Sequence, residues 1–134
     1  MDLAKAYRFL ESTQNPDGGW GCRLHGRSMV ESTGAVLLAA VDHWGGPTLA
    51  LARRWLERAQ HADGGWGLGP EDPQSHWCTA WAILALTRLD PQAPAIAQGV
   101  RWLLQVPAIR IQSDELTEEV RRTLGIDPSL SGTP

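Results

Sequence analysis

The feature that most narrows the fold is an eight-residue stretch that occurs twice. Gln14-Asn15-Pro16-Asp17-Gly18-Gly19-Trp20-Gly21 returns as Gln60-His61-Ala62-Asp63-Gly64-Gly65-Trp66-Gly67, 46 residues further along. The same shift carries Ser32-Thr33-Gly34-Ala35-Val36-Leu37-Leu38-Ala39 onto Cys78-Thr79-Ala80-Trp81-Ala82-Ile83-Leu84-Ala85. It also carries Ala6, Phe9, Leu10 and Thr13 onto Ala52, Trp55, Leu56 and Ala59. Three separate segments held at one spacing mark tandem repeats, units that bury their apolar faces on each other rather than alone.

Each unit reads as helix, turn, helix. The first helix, around 3–13 and 49–59, has small or apolar residues at i, i+3, i+4 and i+7, one stripe for burial. Its other face carries Lys5, Arg8 and Glu11, or Arg53, Arg54, Glu57 and Arg58, and suits solvent. The second helix, around 32–41 and 78–88, is apolar nearly all round and is expected to be buried on most sides. Gly45-Gly46-Pro47 and Asp90-Pro91 are read as the stops of these second helices. A polar-faced outer helix followed by an apolar inner helix, repeated, is the pattern of concentric helix layers.

A third unit starts and then departs from the pattern. Gly99, Trp102, Leu103 and Val106 repeat the outer stripe, but Pro107 follows and no Gly-Gly-Trp comes after it. Ser113-Asp114-Glu115 reads instead as an N-cap with an acidic first turn. Leu116, Val120 and Leu124 then give a short amphipathic helix, with Gly125 suited to its C′ position. The expected organisation is a single all-α domain over 1–134: repeat 1 at about 3–47, repeat 2 at about 49–94 and a degenerate third unit at about 96–134.

The Asp-Gly-Gly-Trp turn has a physical rationale. Glycines allow positive φ and close backbone approach, while the Asp side chain bonds backbone N–H groups within the turn. The Trp buries a large ring beneath the loop. Gln14 and Gln60 stand at the ends of the outer helices, where an amide can satisfy an orphan carbonyl. The composition agrees with a repeated demand for one aromatic: seven Trp stand against one Phe and one Tyr.

Gln-x-x-x-Gly-Gly-Trp followed by Ser/Cys-Thr and small apolar residues resembles the QW repeat of squalene–hopene and oxidosqualene cyclases. A looser form occurs in prenyltransferase β-subunits. The resemblance covers Leu3 to about Val106. It implies an α/α toroid in which Gln14, Gly18, Gly19, Trp20, Gln60, Gly64, Gly65 and Trp66 are structural, with a hydrophobic isoprenoid cavity at the inner helices. Glu31, Trp77 and Trp81 are the residues that such a cavity would place toward a ligand. The resemblance brings no catalytic residue across. The class II acid motif Asp-x-Asp-Asp is absent from these 134 residues, and so is the Asp-rich magnesium motif of class I terpene synthases.

Other readings of these residues are structural. Cys22 with His25, and His76 with Cys78, have the spacing of zinc ligands. The repeat, however, puts Cys78 on Ser32 and His76 on Val30, so packing is expected and neither a metal nor a cofactor. Glu31 suits the first turn of a helix by charge, or would pair with Arg23 or Arg27. Trp77 and Trp81, four residues apart on one face, and Trp44 are read as core aromatics. Two cysteines make no disulfide framework in a chain of this length.

The net charge of −3, with no Lys/Arg stripe, argues against nucleic acid. Residues 1–10 have no apolar signal-peptide core, and the longest uncharged apolar run, 32–41, is too short to span a bilayer. A cytoplasmic location is the expectation. About two and a half helix pairs cannot close a ring, so the chain is expected to self-associate or to form part of a larger toroid. The function expected is a non-catalytic module or subunit whose apolar concave face holds an isoprenoid-like ligand or a partner helix. The alternatives are a terpenoid cyclase or prenyltransferase-like enzyme completed by another chain, and a pure protein-interaction scaffold.

Overall fold

Five α-helices follow one another in the computed structural model, which describes residues 1–107 and, beyond them, Thr123 alone. They are α1 (Leu3–Ser12), α2 (Val30–Ala40), α3 (Gly46–Ala59), α4 (Cys78–Leu89) and α5 (Pro94–Gln105), with a 3-10 turn over Val41–His43. No strand occurs among the described residues. The expected helix over 113–124 and most of the third unit lie outside them.

Local chemistry sets the helix ends. Asp2 caps α1 by accepting the Lys5 N–H at 3.2 Å, the bond that a short acidic N-cap provides. α3 begins three residues earlier than the apolar stripe indicates, with Gly45 as N-cap and Pro47 in the first turn. Pro47 therefore opens a helix rather than closing the previous one; its fixed φ and missing N–H cost nothing there. α5 likewise opens on Pro94, inside the span expected for the second unit.

α1, α3 and α5 form an outer layer, and α2 and α4 pack closely side by side within it. This is a partial α/α toroid of helix pairs. The core contains Trp20, Leu37, Leu56, Trp66, Ala82 and Leu86, drawn from both pairs and from the turns between them. Burying a Leu or Trp side chain removes enough apolar surface to contribute roughly 1.5–3 kcal/mol each.

The inner helices differ from the expected burial on most sides. α2 buries Val30, Thr33, Gly34, Leu37 and Ala40, and α4 buries Cys78, Thr79, Ala82, Ala85 and Leu86. The opposite side of each is exposed: Ala35 and Ala39 on α2, Ala80 and Leu84 on α4, with Trp77 at the N-cap of α4. Both faces are apolar, but the described chain supplies a partner for only one. The expected α5 stripe is likewise only partly covered, with Gly99 buried, Trp102 half-buried, and Leu103 and Val106 exposed.

Candidate functional site

The two Gln–Trp turns share the bonds made by their Gln, Asp, Trp and Thr residues. Gly18 and Gly64 have φ of 101° and 95°, a region that side chains with a Cβ rarely adopt. A Cβ on Gly18 would also lie 2.4 Å from the Leu51 carbonyl oxygen, and one on Gly64 would lie 2.7 Å from that of Gln98. Each turn is therefore pressed against the next outer helix, α3 or α5.

The Trp ring closes the turn from below. Trp66 is fully buried, and its Nε1–H donates to the Leu56 carbonyl at 2.8 Å; Trp20 does the same to Leu10 at 2.8 Å. Both carbonyls belong to the last turn of the preceding outer helix, where helical partners run out. Thr79 Oγ1 accepts the Trp66 N–H at 2.8 Å and donates to the Trp66 carbonyl at 3.2 Å. Thr33 Oγ1 accepts the Trp20 N–H at 2.9 Å and donates back at 3.3 Å. The inner helix is thus pinned to its own turn.

Gln14 and Gln60 act differently from simple helix caps. Gln14 Nε2 donates to Gly18 O at 2.9 Å and to Thr48 O, in the first turn of α3, at 3.0 Å. Gln60 Nε2 donates to Gly64 O and to Ala95 O, in α5, both at 2.9 Å. The Leu56 carbonyl goes to the Trp66 indole and the Leu10 carbonyl is shared by Trp20 and Thr13, while the amides reach forward to the next unit.

Sequence reasoning missed a second forward link. Asp17 Oδ1 accepts from the Gly19 N–H at 3.0 Å and from Ser28 Oγ at 2.6 Å, while Oδ2 accepts from Trp55 Nε1 at 3.0 Å. Asp63 repeats this with Gly65, Ser75 and Trp102 at 2.9, 2.7 and 3.0 Å. Partial burial pushes the Asp63 carboxyl up, but bonds from the Gly65 N–H, Ser75 and Trp102 outweigh it and hold it below the ordinary Asp value. The signal available was a Trp on the outer helix of units two and three, at nearly the same spacing as the two Asp residues.

The Met29 and His76 N–H groups both donate to the carbonyl of their turn's Trp, at 2.9 and 3.0 Å. His76 therefore stands where the first unit has Met29, one place from the Val30 equivalence expected from the 46-residue shift. One residue is gained between Gly65 and Ser75 and one lost before Thr79.

Of the Cys/His groups with ligand-like spacing, His76 has a protein partner. His76 Nε2 bonds Asp72 Oδ2 at 2.7 Å. Asp72, accepting the Leu68 and Gln74 N–H groups and then His76, is pulled down to about 2. Cys78 is buried, which, with the charges of Glu31 and Asp72 nearby, pushes its thiol up to about 11. It is a thiol at neutral pH. Cys22 and His25 are exposed in the first turn.

The residues that the sequence marked for a ligand lie at the starts of the two inner helices. Glu31 is exposed in the first turn of α2, and Trp77, at the equivalent repeat position on α4, is 55% exposed. Trp81 is half-buried one turn on, and Leu84 is 54% exposed. Trp77 is thus a surface residue rather than core. Trp44 lies elsewhere, stacked on Trp20 at 5.4 Å with Nε1 donating to the Tyr7 carbonyl. Arg27 pairs with Glu71, not Glu31, across a groove of about 660 Å³ between the two turns.

Two helix pairs, each with a Gln–Asp–Gly–Gly–Trp turn between its helices, form a specific pattern. The family model described as the squalene-hopene cyclase N-terminal domain matches residues 3–110. The chain belongs to the squalene–hopene cyclase family. No individual curated protein and no solved structure gave a match. The stretch matched to the cyclase domain contains both Gln–Trp turns, the inner face and the whole of α5. Among the described residues of this cyclase-family chain, no helix is long and apolar enough to cross a membrane. No group of three or more His, Cys, Asp or Glu among them could hold a metal ion.

Proposed function

We propose that this chain is a repeat module of the cyclase family that holds an isoprenoid-like chain against the exposed face of α2 and α4, without carrying out a reaction itself. The observation behind this reading is the apolar line Trp77, Ala80 and Leu84 on α4, beside Ala35 and Ala39 on α2. A contiguous exposed apolar surface of this kind marks a binding site more often than a solvated face. Flat alkenyl chains suit such a surface because they need only dispersion contacts and aromatic faces. Glu31 at one end is the single acidic group on α2, placed to receive a hydroxyl or a cationic head. A partner's apolar helix would use the same face, and completion of the ring by further repeats or a second copy would enclose it.

Titration with farnesol, followed by intrinsic Trp fluorescence, tests the reading. Saturable binding that weakens at least tenfold in Trp77→Ala is the expected result. Absence of any saturable change in a chain with intact helical circular dichroism would overturn it. Light scattering on the same sample separates a self-enclosed site, which requires a dimer or larger, from an open one.

A further inference from the structure

The third outer helix carries hydrocarbon where the second carries charge. In α3, Arg53 and Glu57 lie one turn apart and are joined at 2.9 Å. Arg53 also reaches Asp90, the C-cap of α4, at 2.8 Å. This side of α3 therefore faces the end of the inner helix that follows it. The 47-residue shift that carries Trp55 onto Trp102 carries Arg53 onto Val100, Leu56 onto Leu103 and Glu57 onto Leu104.

The consequence appears in the exposures. Leu56 is fully buried beneath the Trp66 turn, but Leu103 is 38% exposed and Leu104 is 81% exposed. Val100 is exposed as well. Spaced at i, i+3 and i+4, these three make one stripe. It lies on the side of α5 where, in the preceding unit, the following inner helix ends. A stripe of this kind in place of an ion pair needs an apolar cover.

We propose that the Val100–Leu103–Leu104 face of α5 is the docking surface for the chain's own segment 113–124, through Leu116, Val120 and Leu124. That segment has the matching single-stripe pattern, with polar or charged residues at every position other than those three. Thr123, one place off the stripe, has helical backbone and an exposed side chain. The ten residues between Gln105 and Leu116 can span up to about 33–36 Å, more than the ~18 Å length of a 12-residue helix, so the segment can turn back along α5. The family match ends at residue 110, so this cover is a feature of the chain's own divergent third unit.

Hydrogen exchange on the full chain, read by mass spectrometry over peptides covering 114–124, tests this. Protection of about tenfold or more over free-peptide rates is expected in the parent chain. Leu104→Glu, which restores the residue type of α3 at a solvent-exposed position, and Val120→Asp should each reduce it to near one while leaving α2 and α4 protected. Free-peptide exchange in the parent chain would overturn the proposal. So would protection that survives Leu104→Glu, or protection lost on dilution, which would assign the face to a second copy.

Discussion

The indole N–H of Trp55 donates to Oδ2 of Asp17 at 3.0 Å, so a residue of the first turn holds the middle of the second outer helix. The other oxygen of Asp17 is occupied inside its own turn by Gly19 and Ser28. One carboxylate thus both shapes the turn and fixes the neighbouring unit, and Asp63 does the same for Trp102.

A double-mutant cycle isolates that link. Trp55→Phe keeps most of the buried ring, and Asp17→Asn keeps an acceptor while removing the charge. The coupling measured by urea denaturation is expected at about 1–2 kcal/mol, as for a bond to a charged group. Additive effects within a few tenths would mean that the bond holds nothing.

Trp66→Ala is expected to cost on the order of 3–5 kcal/mol, the usual range for emptying a large aromatic site. Trp66→Phe retains much of the packing but leaves the Leu56 carbonyl without its donor, so a smaller loss of about 1–3 kcal/mol is expected. Equal stability of both variants and the parent, measured in the same denaturant series, would contradict the burial.

Thr79 makes two bonds to the backbone of Trp66. Thr79→Val keeps its shape and strands a buried N–H, which costs about 1–3 kcal/mol. Thr79→Ser keeps the hydroxyl and should recover most of that loss. Equal melting temperatures for the Val and Ser variants would show that the hydroxyl is dispensable.

Acid stability should depend on Asp72. Its folded pKa is about 2, against roughly 3.9 for an unperturbed Asp. A depressed folded value means that the unfolded chain takes up the proton first. The stabilisation is complete above the unfolded pKa and is lost as pH falls from about 4 to about 2. The melting-temperature gap between the parent and Asp72→Asn should therefore be constant near neutrality and close toward pH 2. A gap that persists at pH 2 would assign the effect to something other than this carboxylate.

The helix-pair fold was legible because repetition reports itself. The 46-residue shift located both turns and four of the five helices, and a shift of 47 identified α5 by its stripe. Helix starts were misplaced at α3, where Pro47 was read as part of a stop but serves as a first-turn residue, and at α5, which opens on Pro94 rather than at about 96. The burial of α2 and α4 was overestimated because hydropathy reports which faces are apolar, not which faces have a neighbour. Trp77 is the clearest case: its spacing from Trp81 suits a core, yet no described element covers it. The Asp17–Trp55 link was hidden for a different reason. It joins a turn to a helix 38 residues away, and its trace was only the recurrence of Trp55 as Trp102 alongside that of Asp17 as Asp63. The compensating gain and loss around Ser75 concealed the true partner of His76 from a fixed-offset alignment.

The bonds made by Gln14 and Asp17 outside their turn point to the helix that comes later in the chain, and those of Gln60 and Asp63 do likewise. A chain emerging N-terminus first would complete each turn from residues already synthesised and offer a finished acceptor to the next helix as it appears. Phe9, at the Trp55 position of the first unit, has no N–H to offer and is exposed. The joint is therefore modular: a duplicated block spanning residues 14–59 brings both an acceptor, Asp17, and the Trp that this acceptor needs, Trp55. A chain lengthened by that block should gain helical signal in proportion and remain cooperative, and failure to do so would show that the joints are not interchangeable.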